Sequence, residues 1–170
     1  MSLVWTPAAD RLDLLAEPVA KAVLDLDGVR VAEIDPGLAD TAAFCEHYGV
    51  RMEDGANCVV VAAKRGGQTM YAACMVLGSM RIDVNGVVRK RLDARKASFA
   101  PMSEAVELTG MEYGGITPLG LPEGWPILVD SAVAAHPGLV IGSGVRHSKL
   151  SVPGATLAGL PGAEVLTLAS

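Results

Sequence analysis

The chain has 170 residues, of which 51% are hydrophobic and only 4% aromatic, and this predicts one compact domain with an aliphatic core. A net charge of −5 excludes a protein that coats nucleic acid over its whole surface, and DNA is not an expected partner. The composition is too apolar for a disordered tail, and the apolar runs are too short to span a bilayer. No membrane partner is therefore expected.

The N-terminal residues and the cysteines predict a reducing, cytoplasmic setting. The chain starts Met-Ser-Leu-Val and soon carries Asp10 and Asp13, unlike the cationic start of a secretory leader. Cys45, Cys58 and Cys74 are spaced by 13 and 16 residues, which fits neither a disulfide framework nor a zinc ribbon. The histidines form no metal-ligand pattern either, so no metal and no cofactor are predicted.

Helical and strand patterns alternate in the first part of the chain. A helix with Thr6 as its N-cap is predicted to bend or divide at Pro18, because proline interrupts the helical spacing of the apolar residues. A strand follows at 29–34, where apolar and polar residues alternate. The next helix is predicted from Thr41 to Gly49, since glycine suits the left-handed position past a helix end.

A hairpin and a basic helix come next in the predicted order. The apolar runs at 58–63 and 70–77 flank Gly66-Gly67, which is typical of a hairpin turn. Asp83 is the expected N-cap of a helix whose apolar face extends to Leu92.

A long loop separates this region from most of the C-terminal elements. Residues 113–126 contain four glycines and three prolines, so no regular element is expected there. The other predicted elements are, in chain order, a strand at 97–100, a helix at 102–109, a strand at 127–130, a helical turn from Ser131, strands at 139–142 and 149–152, a helix after Pro153 and a strand at 164–168. This order predicts a mixed α/β (α+β) fold.

Two glycine-containing segments are candidate ligand sites. Gly114 and Gly115 permit close backbone approach and can point N–H groups at an oxyanion, while Pro118 stiffens the loop. A crossover connection is an equally ordinary explanation of this loop. Gly142-Ser143-Gly144 is the second segment, and it is also typical of a turn at the end of a strand.

Four short motifs follow one another over roughly residues 35–168: Glu-Leu-Thr-Gly, Gly-Gly-Ile-Thr-Pro-Leu-Gly-Leu-Pro, Ile-Leu-Val-Asp and Gly-Ser-Gly. Together they resemble the YbaK/ProX family, the free-standing relatives of the editing domain of prolyl-tRNA synthetase. The resemblance implies a curved, partly barrel-like mixed sheet flanked by helices. It also divides one compact domain into an N-terminal helical extension with the first strand at 1–34 and an editing domain at 35–170.

The resemblance implies an aminoacyl-tRNA deacylase that edits in trans and hydrolyses the ester of a mischarged small amino acid. Such editing is needed because a pocket discriminates one methylene by only about 1–3 kcal/mol. The implied partners are the tRNA acceptor end with its attached amino acid and an aminoacyl-tRNA synthetase.

The resemblance also implies which residues form the site. The backbone N–H groups of Gly115 and Gly144 are the expected oxyanion donors. The expected substrate-binding residues are Gly114, Ile116, Thr117, Pro118, Gly142 and Ser143. His147 is added to them because glycines surround it, although a surface position explains it equally well.

Asn57 stands where members of the family commonly carry a lysine that contributes to substrate binding and catalysis. Its amide has a donor and an acceptor but no charge, so it is expected to orient a water or the terminal ribose. The replacement leaves two alternatives open. One is a non-catalytic module that binds aminoacyl-tRNA or a synthetase, and the other is a small-molecule binding protein that reuses the cleft.

A basic strip is predicted to contact tRNA phosphates. It consists of Arg89, Lys90, Arg91, Arg95 and Lys96, which together with Asp93 give a local charge of +4. A solvated helix face explains the same pattern. Because aromatic residues are scarce, the pocket is expected to work through glycine backbone and shape rather than through base stacking.

Overall fold

Strands and helices alternate along most of the chain. The computed structural model describes residues 2–170 and, within them, nine strands and six α-helices. In chain order they are β1 (Thr6–Pro7), α1 (Glu17–Val23), β2 (Arg30–Glu33), α2 (Thr41–Tyr48), β3 (Ala56–Arg65), β4 (Gln68–Leu77), α3 (Arg89–Arg91), β5 (Lys96–Phe99), α4 (Met102–Thr109), β6 (Ile127–Asp130), α5 (Ser131–Ala134), β7 (Leu139–Gly142), β8 (Ser148–Val152), α6 (Gly154–Ala158) and β9 (Ala163–Leu166). The predicted mixed α/β class is confirmed.

The first sheet is antiparallel throughout and has the strand order β1-β2-β8-β7. Strand β8 lies inside this sheet, where Leu150 is paired with Val31 on one side and with Ile141 on the other. All three side chains are buried in the main core. Because side chains alternate along a strand, Lys149 points to the opposite face of the sheet.

The second sheet has the strand order β5-β3-β4-β6-β9. Strands β3 and β4 form the predicted hairpin and are paired over ten residues. The turn residues Gly66 and Gly67 have φ angles of 57° and 77°, a left-handed conformation that glycine adopts without strain. Strand β6 runs parallel to both of its neighbours, β4 and β9.

Both sheets are open, so the partly barrel-like sheet that the resemblance implied is not found. The sheets meet at Gly55, which directly precedes β3 and forms a parallel bridge with Val140 of β7. This bridge brings the first residues of β3 to the edge of the first sheet. It therefore positions the site described below.

The second sheet is covered on both faces. Cys74 and Met75 are consecutive in β4 and are both 0% exposed, although their side chains point in opposite directions. Met75 packs into the main core, and Cys74 packs into a second core that includes Val84, Val88 and Leu92. Among residues 2–170, no helix is long and apolar enough to cross a membrane.

The start of the chain differs from the sequence prediction. Thr6 is not a helix N-cap, because Thr6 and Pro7 form β1 and pair with Val31 and Arg30. The helix begins only at Glu17, and Pro18 lies in its first turn rather than at a bend. Proline is tolerated there because the first N–H groups of a helix have no partner within the helix.

The predicted helix signals elsewhere act as expected. Gly49 and Gly110 end α2 and α4 with φ angles of 70° and 69°. Asp83 accepts a hydrogen bond from Gly86 N at 2.9 Å, as an N-cap does. The helix that follows opens with a wide π-type turn over 84–88 before it continues as α3.

The carboxylate of Asp130 joins β6 to the C-terminal residues. It is 1% exposed and accepts hydrogen bonds from Leu168 N at 2.8 Å and from Ala169 N at 3.1 Å. It also caps α5 by accepting from Ala132 N at 3.1 Å. A buried carboxylate with three such partners is a strong local constraint.

We expect Asp130→Asn to lower the free energy of unfolding by about 3 kcal/mol, because the amide loses the charge and places a donor against backbone donors. Urea denaturation followed by circular dichroism measures this loss. The matched control is Glu107→Gln, which makes the same chemical change at an exposed position of α4. Equal midpoints for the two variants would contradict the role of Asp130.

Candidate functional site

A cavity of about 350 Å³ lies close to where the two sheets meet, and we call it the central cavity. Its walls come from the start of α2, the first residues of β3, the loop after α4 and the neighbouring strands β7 and β8. Its volume suits a small ligand or the reacting end of a larger one.

Four of the predicted site residues line the central cavity: Asn57, Gly114, Ile116 and Gly142. They come from three separate segments of the chain, and the fold brings them together. Their predicted roles toward a substrate remain predictions.

Four other predicted residues lie behind the cavity or away from it. Thr117 and Ser143 are 0% exposed. Pro118 lines a different groove, beside Trp125. His147 does not line the cavity, and its carbonyl accepts a hydrogen bond from Ile34 N at 2.9 Å. None of these four residues forms the surface of the central cavity.

The two predicted oxyanion donors are already hydrogen-bonded. Gly115 N donates to Glu112 O at 3.0 Å, and Gly144 N donates to Gly115 O at 2.7 Å. Each N–H has one hydrogen, so neither group is free to bind an oxyanion, and this role does not fit the structure. Within residues 2–170 the N–H groups of Gly114 and Ile116, which line the cavity, donate to no protein acceptor. They are the better candidate donors.

Helix α1 supports this region from behind. A Cβ atom on Gly144 would lie 2.4 Å from Ala16 Cβ, and one on Gly120 would lie 2.4 Å from Pro18 O. Both distances are far below van der Waals contact, so only glycine permits this close packing. The N-terminal segment therefore fixes the backbone that carries the cavity wall.

Asn57 is oriented by a neighbouring hydroxyl. Thr41 Oγ1 lies 2.7 Å from Asn57 Oδ1 and donates to it. Because this bond occupies the amide oxygen, the NH₂ group of Asn57 is left to donate elsewhere. Both residues line the central cavity.

Lys149 is the functional candidate that the sequence analysis missed. It lines the central cavity but is only 8% exposed. Its Nζ lies 5.3 Å from the ring centroid of Phe44, and among residues 2–170 it forms no ion pair with a carboxylate. A buried ammonium without an ion-pair partner is costly, so its presence beside a cavity indicates a function.

Burial lowers the pKa of Lys149 to about 8. The nearby Asp40 carboxylate and the Cys45 thiol favour the charged form, whereas Arg146 disfavours it. These three groups are the titratable and charged neighbours that act on Lys149. The lysine is therefore mainly an ammonium at neutral pH and loses its proton in a mildly alkaline range.

The sequence contains one signal that could have identified Lys149. It is the only charged residue between Arg146 and Glu164. Its position in the alternating strand β8 is nevertheless that of an ordinary outward-facing lysine. Phe44 of α2 lies against Lys149 on this face of the sheet, and this contact is not visible in local sequence.

Arg146 fastens the glycine loop to the segment before α2. Its guanidinium donates to Pro36 O at 3.2 Å, to Asp40 Oδ1 at 3.2 Å and to Tyr113 O at 3.0 Å. Gly114 has a φ angle of 84°, and a Cβ atom there would lie 2.2 Å from the guanidinium. The loop and the start of α2 are thus held as one unit at the mouth of the cavity.

The cysteines do not form a reactive site. Burial raises the pKa of the Cys58 thiol, so the Cys58 side chain at the cavity stays protonated at neutral pH. A thiol in this form is a poor nucleophile. Among the described residues, no cluster of histidine, cysteine and acidic side chains could hold a metal ion.

The structure divides the basic strip into paired and unpaired cations. Arg91 Nε donates to Glu164 Oε2 at 2.6 Å, and Arg89 Nε donates to Asn85 O at 2.8 Å. Only Arg91 forms an ion pair, and the members that form none among residues 2–170 are Arg89, Lys90, Arg95 and Lys96.

One unpaired member of the strip faces another lysine. Lys96 of β5 lies directly opposite Lys64 of β3 in the sheet register. Like charges at such positions are destabilising. A surface that concentrates positive charge in this way suits phosphate groups.

Comparisons with known proteins agree with this fold. The model of the aminoacyl-tRNA editing domain family matches residues 35–160. A solved structure described as a candidate trans-editing enzyme for prolyl tRNA synthetase is 21% identical with a TM-score of 0.77, and the match covers 91% of this chain and 96% of that chain. A scaffold protein used for computational grafting of linear epitopes is 20% identical with the same TM-score, over 91% and 97% of the two chains. No curated protein matches the chain by sequence.

We expect Lys149→Met to stabilise the protein at pH 7 by up to about 3 kcal/mol, because it removes a buried ammonium whose pKa is lowered from 10.5 to about 8. The unfolded chain binds this proton more tightly than the folded protein. The penalty in the native protein therefore exists below pH 8 and disappears as the pH rises toward 10.5.

Urea denaturation at pH 7 and at pH 10 measures both effects. The control is Lys21→Met, which removes an exposed lysine of α1 and is expected to change stability little. A Lys149→Met protein that is no more stable than the native protein at pH 7 would contradict the energetic penalty that we assign to the buried ammonium of Lys149.

Proposed function

Because the chain belongs to the aminoacyl-tRNA editing domain family, we propose that it hydrolyses the ester bond between a small amino acid and the 3′ ribose of tRNA. The observation that carries this proposal is the buried Lys149, which faces the same cavity as Asn57. These two side chains provide an ammonium and an amide donor in a site of the right size for an aminoacyl group.

The reaction needs few catalytic groups because the ester is already activated. The oxygen of a water molecule adds to the ester carbonyl while the water gives up one proton to solvent, and this yields a tetrahedral intermediate with negative charge on the former carbonyl oxygen. The bond to the ribose oxygen then breaks, and this oxygen takes a proton back from solvent. The products are the free amino acid and the tRNA with its 3′-terminal hydroxyl restored.

The proposed role of Lys149 is to stabilise the oxyanion. An ammonium in a partly dry cavity acts more strongly on a developing charge than the same group in water. The NH₂ group of Asn57 and the N–H groups of Gly114 and Ile116 are the proposed additional donors. Asp40, which also lines the cavity, is the proposed acceptor for the α-ammonium group of the amino acid.

The narrow end of the site favours a small amino acid. A pocket of only about 20 Å³ continues from the cavity between α2 and the strands, and its lining includes Thr41, Phe44 and Ile141. This space holds about one water molecule, or a methyl-sized group. Larger side chains would have to displace well-packed residues, which is the physical basis of the proposed discrimination.

The unpaired cations of the basic strip are proposed to contact the tRNA backbone close to its acceptor end. We choose tRNA(Pro) as the first substrate to test for two reasons. The chain belongs to a family of aminoacyl-tRNA editing domains, and a similar structure is described as a candidate trans-editing enzyme for prolyl tRNA synthetase. A synthetase is the proposed second partner, since the misacylated tRNA comes from such an enzyme.

A second candidate function is binding without cleavage. The observation that favours it is Asn57, which gives no charge at the position where the resemblance implies a lysine. Lys149 is the counter-argument, because it supplies an ammonium to the same cavity from another strand.

We expect the protein to release the amino acid from tRNA(Pro) charged with alanine, serine or cysteine, with the fastest release for alanine because of the narrow pocket. Loss of the labelled ester over time, relative to buffer and to proline-charged tRNA(Pro), measures the activity. Retention of every ester, together with tRNA binding in a filter assay, would favour the binding module and reject the hydrolase.

We expect kcat/KM for the favoured ester to fall as the pH rises through about 8, because Lys149 loses the charge that stabilises the oxyanion. Lys149→Met should lower the rate by about 10²- to 10³-fold and remove this fall, whereas Lys149→Arg should keep the charge. Subtraction of the buffer rate at each pH isolates the enzymatic part. An unchanged pH profile in Lys149→Met, with Lys21→Met as the control, would exclude this role.

A further inference from the structure

A second cavity, of about 420 Å³, opens beside the central cavity and shares three lining residues with it: Cys58, Tyr113 and Ile116. We call it the side cavity. Large apolar side chains are exposed around it, with Phe99 at 61%, Met102 at 54% and Tyr113 at 54%. Single exposed apolar residues are ordinary, but three around one cavity indicate a ligand surface.

The edge of β3 forms part of the side cavity. Strand β5 pairs with β3 as far as Phe99, which lies opposite Val61. One further hydrogen bond follows, in which Ala100 N donates to Val60 O at 2.9 Å. In an antiparallel strand the N–H and C=O of one residue point to the same side, and the side alternates from residue to residue. The N–H and C=O of Cys58 therefore point toward this unpaired edge, where β5 no longer covers them.

We propose that the side cavity binds the adenine base of the 3′-terminal adenosine of tRNA, stacked on Phe99 and Tyr113. The backbone N–H and C=O of Cys58 provide one donor and one acceptor for the edge of the base. This inference rests on the proposed function, because the ester and the base belong to the same nucleoside.

The covalent structure of the substrate supports this assignment. The ribose joins the reacting ester to the base, so the base has to lie directly beside the central cavity when the ester is inside it. The side cavity is adjacent to it, and Tyr113 and Ile116 form the common border. Exposed aromatic rings are the side chains that proteins use to stack single-stranded bases.

The position of the basic strip agrees with the same path. Strand β5 begins at Lys96 of the strip and ends at Phe99. The strand thus leads from proposed phosphate contacts to the proposed base site. The few aromatic residues of this chain did not suggest stacking from the sequence, yet two of them border the side cavity.

Adenosine 5′-monophosphate is the probe, and ribose 5-phosphate is its matched control without a base. Binding is measured by chemical-shift changes of backbone amides in titrations of the native protein. We expect adenosine 5′-monophosphate to bind more tightly than ribose 5-phosphate and to shift the backbone amides of residues 58–60, 99, 100, 102 and 113–116. Phe99→Ala and Tyr113→Ala should each weaken its binding by about 5- to 100-fold.

Two variants control for other effects of the substitutions. Phe99→Trp keeps a stacking ring and should retain binding, while Leu24→Ala truncates an equally exposed side chain of the first helical region and should leave binding unchanged. Equal affinity for the two probes, or native affinity in both Phe99→Ala and Tyr113→Ala, would overturn the proposal. An altered preference among amino acids in these variants, with nucleotide binding unchanged, would overturn it too, since the cavity would then hold the amino-acid side chain.

The experiment separates this inference from the proposed function. Nucleotide binding is measured without hydrolysis, so a protein that binds adenosine 5′-monophosphate at these residues but cleaves no ester would refute only the hydrolase. A protein that cleaves the ester with native KM after both aromatic substitutions would refute only the base site.

Discussion

The junction of the two sheets at Gly55 and Val140 is the contact on which the candidate site depends. It brings the start of β3 to the edge of the first sheet, so that Asn57 of one sheet and Lys149 of the other face one cavity. Strand β3 then continues away from the junction and is held in register over ten residues by β4. One rigid strand thus connects the central cavity, the edge of the side cavity and the lysine opposite the basic strip.

The arrangement of charge in the cavity opposes stability. Lys149 is buried without an ion-pair partner, although Asp40 lies in the same cavity and is held by Arg146. If Asp40 were free to form an ion pair with Lys149, the two opposite charges would compensate each other. The guanidinium of Arg146 keeps the carboxylate at the mouth of the cavity, and this separation of charges is typical of a site prepared for a polar ligand.

Local signals in the sequence were sufficient for most of the fold but not for the site. Gly49, Gly110 and the Gly66-Gly67 turn were predicted because each position has a backbone requirement that glycine meets. The prediction of a helix start at Thr6 was wrong. A Thr-Pro pair suits the start of a helix and an extended strand alike, and pairing with β2 selects the strand.

The site was harder to predict. Lys149 and the exposed Phe99 could not be assigned, because their surroundings come from distant segments of the chain. The roles given to Gly115 and Gly144 do not fit, because their N–H groups already donate to the backbone carbonyls of Glu112 and Gly115.

The tight packing of α1 against Gly120 and Gly144 has a consequence for how such a site can change. The family match begins at residue 35, so this helix lies outside it, and α1 does not line the central cavity. It nevertheless supports the backbone of the loop and of the strand end that form the wall. Larger side chains at Ala16 or Val19 would press on this wall, because Gly144 has no room to yield. The shape of the central cavity can therefore be altered from a segment that does not line it, which gives evolution and protein engineering a route that spares the residues facing the cavity.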